Sequence, residues 1–291
     1  MNKKEFLKKF RFKKSLGQNF FIGNRDDLIN LTDFSEDDIV LEVGTGTGDV
    51  TKELAKRVYK VITYEIDERL KDLIKENFIF YKNIEVKFMD FLKEEEFPEK
   101  FRFFSNLPYS TSTEILKKCS KINSMIDGYF MIQKELGERI VSKENSKNYG
   151  AISIFLQTFF EFKTLKVFSK NNFYPRPDVD SIFIYVKRIR PWEEKFESYE
   201  KFLKEIFSKR RKKLKKTILY LVQKSNKIDL SLRPENLKVS EFIELYENFC
   251  RSENKFNSWC NRKTFRRLSL YKKFGFKNSN FWWNLFWIWW R

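Results

Sequence analysis

The tetrapeptide Asn106-Leu107-Pro108-Tyr109 combines residue types that can hold an amino group in place for a reaction. An amine attached to an aromatic ring is a poor nucleophile, because its lone pair is delocalised into the ring. The side-chain oxygen of Asn106 and the carbonyl of Leu107 could accept its N–H bonds and favour a pyramidal nitrogen. Pro108 fixes the turn. Tyr109 offers an aromatic ring on which a flat ring carrying the amine can stack, an interaction worth about 1–3 kcal/mol for a heteroaromatic ring. We therefore predict catalysis by alignment, without a general base.

A glycine-rich turn, Gly44-Thr45-Gly46-Thr47-Gly48, directly follows an apolar strand. Glycines allow backbone N–H groups to approach a ligand closely. The third glycine comes one residue earlier than in the GxGxxG loop that binds dinucleotides, with Asp49 in the expected place, which fits a smaller ligand without pyrophosphate. Glu65 could accept both ribose hydroxyls, and Asp90 the amino group of an adenine. S-adenosylmethionine fits this set, whereas a tight turn beside solvated acids is the alternative.

These residues follow strands in a regular alternation of strands and helices. Strands are predicted over 39–43, 60–66, 84–89, 101–105 and 128–132, and helices over 26–31, 49–58, 67–77 and 113–120. Such alternation implies βαβ units and a largely parallel sheet. Two more β-rich runs, 152–160 and 181–187, are predicted to close it. Since ligands bind beyond the carboxyl ends of parallel strands, the candidate residues should meet at one edge.

The character of the chain changes after Pro191. Helices are predicted over 193–220 and 240–249, with no further strands. Residues 1–190 are thus predicted to form the catalytic α/β domain, with a basic arm at 1–14, and 191–249 a small helical domain. Residues 250–291 form a basic tail with five of the seven tryptophans near its end. The composition changes abruptly at this tail, which suggests a frame-shifted or fused end. The alternative is a segment that binds a partner or lies in a membrane interface.

Composition narrows the possible chemistry. The formal net charge of +18 attracts polyanions, nucleic acid before an anionic membrane, although a general basic bias is the alternative. The chain has no histidine, which excludes Ser-His-Asp and Cys-His catalysis and histidine-ligated zinc. Cys119, Cys250 and Cys260 show no CxxC pairing, which indicates a reducing, cytoplasmic setting, and we expect no metal. No apolar stretch reaches the roughly 20 residues that span a bilayer.

A dense basic run lies in the predicted C-terminal domain. Residues 209–216 include seven cations within what is predicted to be one short helix. Cations on every side of a helix cannot form a core face, so the run is either a solvated surface or a surface that contacts phosphates. For Arg210, Arg211, Lys212 and Lys213 we predict contacts with the phosphates of RNA, which would make binding steeply dependent on salt.

Eight short motifs share the order and spacing seen in one enzyme family. They are Ser15–Phe21, Glu42–Gly48, Tyr64–Asp67, Asn106–Tyr109, Gln133–Glu135, Phe173–Ser181, Arg210–Lys212 and Arg233–Leu237. Over roughly residues 10–249 the chain resembles the ribosomal RNA adenine dimethyltransferases. The resemblance is strongest to the branch that dimethylates two adjacent adenosines near the 3′ end of small-subunit (16S) rRNA.

The resemblance implies a fold and a set of binding residues. The fold is a Rossmann-like, seven-stranded class I methyltransferase sheet followed by a small all-helical C-terminal domain. The implied contacts with S-adenosylmethionine are Asn19, Phe21, Gly44, Glu65, Asp90 and Asn106. Phe21 replaces the family's usual leucine, and Ser110 and Thr111 replace its Asn-Ile. By analogy Phe173 and Tyr174 face the target base, with a place in the core as the equal alternative.

The function implied by the resemblance is N6-dimethylation of rRNA adenosines on a precursor of the small subunit, by a monomer. One alternative is the large-subunit (23S) branch, which confers macrolide-type resistance. The motifs Arg233–Leu237 and Arg210–Lys212 favour the small-subunit branch. A non-catalytic RNA-binding assembly or transcription factor would tolerate loss of Asn106 or Glu65, and both are present. DNA adenine methyltransferases usually carry two prolines before the aromatic residue.

Overall fold

The computed structural model describes residues 10–13, 16–215 and 228–250. Its central sheet has seven strands: β2 (Ile39–Val43), β3 (Lys60–Glu65), β4 (Ile84–Phe88), β5 (Phe101–Asn106), β6 (Met125–Gln133), β7 (Phe160–Phe168) and β9 (Ser181–Arg188). A separate antiparallel pair joins β1 (Phe20–Phe21) to β8 (Phe173–Tyr174). The sheet order is β4-β3-β2-β5-β6-β9-β7. The first five strands are parallel, and β9 runs antiparallel to both of its neighbours.

Helices cover both faces of the sheet because its central strands are apolar on both sides. They are α1 (Arg25–Ile29), α2 (Asp49–Ala55), α3 (Lys71–Phe78), α4 (Ser112–Lys121), α5 (Lys134–Val141), α6 (Ala151–Phe159), α7 (Tyr199–Ser208) and α8 over residues 239–250. Successive side chains of a strand point to opposite faces. Phe103 accordingly packs with Leu116 of α4 in one buried cluster, and Phe104 with Leu54 of α2 in the other. The predicted seven-stranded methyltransferase architecture is confirmed.

The predicted strand over 152–160 is wrong, because these residues form α6. Its apolar run resembles a buried strand, but α6 is buried on most sides and so carries apolar residues around its circumference. The strand β7 begins immediately after α6. It lies at the edge of the sheet, where many of its side chains are exposed. Helix α5 was not predicted either, although its apolar face packs against the sheet.

After β9 the described residues contain only helices and turns, as the sequence predicted. The predicted helix over 193–220 is, however, shorter: a 3-10 turn at Glu194–Phe196 precedes α7, which ends at Ser208. Residues 209–213 form an irregular turn, so the basic run does not lie within one helix. In the larger core cluster an aromatic ring of α7 packs against α6, and an aromatic ring of α8 packs against α7. A separate domain beginning at residue 191 therefore stays a prediction, and the tail at 251–291 lies outside the described residues.

Arg188 of β9 closes the end of α4 with its guanidinium. It donates hydrogen bonds of 2.7–3.1 Å to backbone carbonyls of Cys119, Ser120, Ile122, Met125 and Arg190. Burial lowers the pKa of Arg188 to about 10, so the group stays charged at neutral pH. A cation at a helix C-terminus is also favoured by the helix dipole. The interaction fixes the far end of the helix that begins just after the tetrapeptide.

Replacing Arg188 with Met should therefore destabilise the fold. Several buried carbonyls would lose their donor, so we expect the free energy of unfolding to fall by about 2–4 kcal/mol. Urea denaturation followed by circular dichroism measures this loss. The matched control is Lys187→Met, because Lys187 is the exposed neighbour on the same strand. Equal, small losses in both variants would contradict the role assigned to Arg188.

Candidate active site

The carboxyl ends of four parallel strands surround a cavity of about 140 Å³. Gly44 follows β2, Glu65 ends β3, Asp90 follows β4 and Asn106 ends β5, and all four line the cavity. Residues 16–20, which continue the basic arm and are included with it in the term N-terminal arm, form another wall. The structure thus brings together the strand-end residues that the sequence predicted would meet at one edge.

The glycine loop needs its glycines for conformation and for space. Gly46 and Gly48 have φ angles of +57° and +77°, in the left-handed region where other residues are strained. A Cβ on Gly46 would come within 3.1 Å of the ring of Phe20, which also lines the cavity. Gly48 caps the N-terminus of α2, where a Cβ would meet the ring of Phe78 at 2.6 Å. The loop therefore presents bare backbone to the cavity.

Two backbone N–H groups hold the carboxylate of Glu65. Gly46 donates to Oε2 at 2.9 Å and Asp67 donates to Oε1 at 2.8 Å. Only 5% of Glu65 is exposed, and this burial raises its pKa while the two donors oppose the rise. Each oxygen still has a free lone pair, so the carboxylate is oriented to accept from two neighbouring hydroxyls such as those of a ribose. Asp90 uses Oδ1 to accept from Leu92 N at 2.9 Å, which leaves Oδ2 for an amino group.

The amide of Asn106 has a forced orientation. Its Nδ2 donates to the carbonyl of Asn19 at 2.9 Å, and because a carbonyl can only accept, the nitrogen must face it. The opposite end, Oδ1, is buried and has no hydrogen-bond partner within the described part of the chain. Buried acceptors are nearly always satisfied, so an unsatisfied one indicates a missing donor. An amino group of a substrate would supply it.

The rest of the tetrapeptide is fixed by its backbone. Leu107 N donates to the carbonyl of Met131 on β6 at 3.0 Å. The carbonyl of Pro108 accepts from Thr111 N at 3.1 Å and from the hydroxyl of Ser112 at 2.8 Å. Both Leu107 and Pro108 line the cavity. The turn therefore holds the carbonyl of Leu107 on a rigid support beside Asn106.

Tyr109 lies next to the cavity and is partly buried, without being one of its lining residues. Its hydroxyl is 2.6 Å from the hydroxyl of Ser181, the first residue of β9. Burial raises the pKa of Tyr109, and the charge of Asp180 adds to the rise, so the phenol is neutral at physiological pH. Sequence reasoning missed Ser181, although it ends a motif that was recognised.

The aromatic residues near the tetrapeptide are divided between the cavity, the core and the surface. The side chain of Phe21 does not line the cavity: its ring packs edge to face on Phe168 and Phe173, each 5.5 Å away between ring centroids. Phe20 lines the cavity instead, because adjacent residues of β1 point in opposite directions. A contact of Phe21 with the cofactor is therefore left to its backbone. Phe173 is a core residue with 2% exposed, whereas Tyr174 is partly exposed against Phe12.

The N-terminal arm is tied to the site through residues that sequence reasoning did not single out. Gln18 donates to Asp67 Oδ2 at 2.8 Å, and its own Oε1 accepts from Lys13 N at 3.0 Å. Arg69 pairs with Asp67 and donates to the carbonyl of Arg11 at 2.9 Å. Asp67 thus joins the arm to the same segment that holds Glu65. Gln18 and Asp67 lie in recognised motifs, which was the available signal.

Comparison with known proteins agrees with this geometry. Residues 9–249 match the family model described as ribosomal RNA adenine dimethylase. The chain belongs to this family. It is 40% identical to the ribosomal RNA small subunit methyltransferase A of Thermotoga neapolitana over 87% of this chain and 98% of the relative. The protein of that name from Borreliella burgdorferi is 34% identical, over 80% and 87% of the two chains.

Two solved structures of similar fold are transferases. A dimethyladenosine transferase from Plasmodium falciparum has a TM-score of 0.68 at 25% identity, over 80% of this chain and 98% of that one. The 23S rRNA methyltransferase ErmE has a TM-score of 0.57 at 24% identity, over 79% and 99%, and shares the fold. Membership of the adenine dimethylase family identifies S-adenosylmethionine as the methyl donor. The donor set found here, with bare glycine backbone, a held carboxylate and a second free carboxylate oxygen, fits that cofactor.

The four residues predicted to bind RNA lie in different surroundings. Arg210 donates to Glu235 Oε2 at 2.6 Å and to the carbonyls of Ser146 and Lys147 at 3.2 and 2.9 Å. Its guanidinium is therefore used inside the protein, which the sequence did not reveal because Glu235 lies 25 residues further on. Arg211, Lys212 and Lys213 are exposed.

A buried carboxyl supports the glycine loop from behind. Glu42 is 2% exposed, and its Oε2 accepts from the hydroxyls of Thr51 and Thr63, both at 2.6 Å. The hydroxyl of Thr63 is in turn 2.6 Å from that of Thr45 in the loop. Burial raises the pKa of Glu42 from the usual 4.5 to about 7, and the nearby charge of Glu65 adds to the rise. Glu42 therefore links the loop, α2 and β3 through one atom.

This raised pKa predicts a specific dependence of stability on pH. In the unfolded chain Glu42 loses its proton near pH 4.5, whereas in the folded protein it keeps this proton up to about pH 7. Between these pH values the folded state binds one more proton than the unfolded state, so the free energy of unfolding falls as pH rises through that window. The total loss is about 3.5 kcal/mol at most, since the pKa rises by about 2.5 units and one unit corresponds to about 1.4 kcal/mol. Glu42→Gln keeps an acceptor for the threonines and removes this loss. Urea unfolding at pH 5 and pH 8 should show a smaller difference in the variant than in the wild type; identical differences would contradict the assignment.

Proposed function

We propose that the protein transfers methyl groups from S-adenosylmethionine to N6 of two adjacent adenosines near the 3′ end of 16S rRNA. The product is N6,N6-dimethyladenosine, formed during biogenesis of the small subunit. The observation that carries the proposal is the buried, unpartnered Oδ1 of Asn106 beside a cavity suited to the cofactor. The names of the relatives, small subunit methyltransferases, support the choice of target.

Glu65, Asp90 and the glycine loop would hold the cofactor at the carboxyl edge of the sheet. When bound, S-adenosylmethionine supplies an electrophilic methyl group, and the electron pair of the broken C–S bond stays on sulfur. Glu65 would take the ribose hydroxyls and Asp90 the adenine amino group. The arm residue Gln18, held by Asp67, would close the cavity on one side.

Asn106 Oδ1 and the carbonyl of Leu107 would then accept the two N–H bonds of the target amine. These contacts turn the lone pair of N6 towards the methyl carbon, so alignment and exclusion of water supply the catalysis. The N6 proton leaves to water after attack, and no residue has to remove it beforehand. The chain has no histidine, which this mechanism does not need.

The large-subunit target and a non-catalytic role are separated from this proposal by one experiment. Protein and tritiated S-adenosylmethionine are incubated with undermethylated small and large ribosomal subunits, and dimethyladenosine is mapped in each rRNA. We expect dimethylation at two adjacent adenosines of the small-subunit RNA. Product only in large-subunit RNA would favour the resistance-type alternative, and no product in either would favour an RNA-binding factor.

Removal of the unpartnered acceptor should abolish the reaction without preventing RNA binding. We expect Asn106→Ala to lower the rate of methyl transfer by about 100-fold or more, the scale seen when a group that acts on the transition state is lost. A tritiated-methyl assay measures the rate and a gel-shift assay the binding of RNA. Asn123→Ala is the control, because its amide bonds to backbone and it does not line the cavity. Unchanged turnover in Asn106→Ala would contradict the mechanism.

The exposed cations after α7 are proposed to contact RNA phosphates, whereas Arg210 holds the turn that presents them. Arg210 joins this turn to Glu235 and to the loop between α5 and α6. Arg211 and Lys212 project from the surface.

No helix of the described residues has the length and apolarity needed to cross a membrane. We further propose that the protein acts as a monomer in the cytoplasm.

The double variant Arg211→Gln/Lys212→Gln should bind small-subunit RNA with a weaker salt dependence. Each lost phosphate contact lowers the slope of log K against log salt concentration by about 0.7–0.9. Filter binding from 50 to 300 mM KCl measures the slope. The matched control is Lys82→Gln/Lys100→Gln, whose exposed side chains precede β4 and β5 at the opposite edge of the sheet. An equal slope in both double variants would exclude the proposed contacts.

A further inference from the structure

The hydroxyl of Tyr109 has a hydrogen-bond partner that lies 72 residues further along the chain. It lies 2.6 Å from the hydroxyl of Ser181. Ser181 is fully buried and is paired on both sides, with Gln133 of β6 and with Phe168 of β7. Its position is therefore set by three strands of the sheet. The bond ties the ring of Tyr109 to one of the least movable points near the site.

A tyrosine on a turn would otherwise be free to rotate. Tyr109 follows Pro108 in the turn that leads into α4, and its ring is only partly buried. The hydroxyl lies on the axis about which the ring rotates, so a hydrogen bond to it fixes the direction of the side chain through χ1. The bond thereby keeps the ring in its place beside the site, and it restrains rotation about that axis only weakly. Burial raises the pKa of Tyr109, so the hydroxyl keeps its proton for this bond.

We propose that Ser181 is a positioning residue that fixes the ring of Tyr109 and is needed most for the second of the two methyl transfers. The inference rests on the proposed function, in which one adenosine is methylated twice. Before the first transfer the amine offers two N–H bonds, one for Asn106 Oδ1 and one for the carbonyl of Leu107. After it, one N–H has been replaced by N–CH₃, and one acceptor has lost its donor.

The second transfer therefore depends more on the stacking ring than the first. The lone pair of N6 forms a bond to the methyl carbon of a second S-adenosylmethionine, the C–S pair stays on sulfur, and the last N6 proton passes to water. With only one N–H bond to orient the nitrogen, the plane of the base is set largely by Tyr109. A ring that is free to swing away from its place should slow this step more than the previous one.

The test measures both steps on undermethylated small subunits. Ser181→Ala and Tyr109→Phe each remove one hydroxyl and keep the ring, so we expect the rate of the second transfer to fall about five- to tenfold, the scale of one lost hydrogen bond. The first transfer should fall less, so N6-monomethyladenosine accumulates. Chromatography of nuclease digests over time gives both rates. The double variant should be no worse than either single variant, because both remove the same bond.

Two matched controls separate this effect from a general loss of structure. Ser120→Ala removes another buried serine hydroxyl, which bonds to the carbonyl of Lys117 at 2.6 Å. Tyr129→Phe removes a hydroxyl that bonds to Asp33 at 2.7 Å. We expect neither control to change the ratio of monomethyl to dimethyl product, whatever it does to the melting temperature.

The outcomes are distinct. An equal slowing of both transfers in Ser181→Ala and Tyr109→Phe, or no slowing, would overturn the role of Ser181 while the proposed function stands. Additive losses in the double variant would show that the hydroxyls act separately, which also overturns it. If Ser181→Ala does not fold, Tyr109→Phe carries the same measurement. A wild-type protein that forms no dimethyladenosine overturns the proposed function itself.

Discussion

The hydrogen bond from the amide of Asn106 to the carbonyl of Asn19 decides which end of that amide is left for a substrate. It exists only while the arm lies against the carboxyl edge of the sheet. The arm is held there by Gln18 on Asp67, and the backbone of Asp67 holds Glu65. One continuous set of contacts thus couples the acceptor for the substrate amine to the carboxylate suited to a ribose. A change in the groups that hold the cofactor should therefore also change how the substrate amine is oriented.

The topology of the sheet makes this arrangement possible. Parallel strands bring their carboxyl ends to one edge, which places Glu65, Asp90 and Asn106 around a single cavity. The antiparallel strand β9 has the opposite direction, so its first residue, Ser181, lies at that same edge beside the last residue of β6. A parallel strand in this position would present its last residue there. The reversal therefore gives the turn of Tyr109 a buried partner from a distant part of the chain.

The extent to which the sequence predicted this site follows from the range of the interactions. Glu65, Asp90 and Asn106 were predictable because each lies at the carboxyl end of an apolar strand in its own segment. The direction of the Phe21 side chain, away from the cavity, could not be predicted because β1 has only two residues, too few to show an alternating pattern. α6 was predicted as a strand because a helix buried on most sides lacks the helical spacing of polar residues. The bonds of Ser181 to Tyr109 and of Arg210 to Glu235 join residues far apart in sequence, and no local pattern records them.

The carboxylates of this site hold other groups in place, and the proposed mechanism requires no proton transfer from them. Glu42 takes two threonine hydroxyls, and Glu65 takes two backbone N–H groups. The chain has no histidine to pair with them, and the amide of Asn106 is not a base. An aromatic amine loses its proton readily once the methyl group is bound, because the nitrogen then carries a positive charge. The proposed reaction therefore depends on rigid positioning more than on acid–base strength. This accounts for the hydrogen bonds that buried side chains of the site, such as Glu65 and Asn106, make with backbone groups around the cavity.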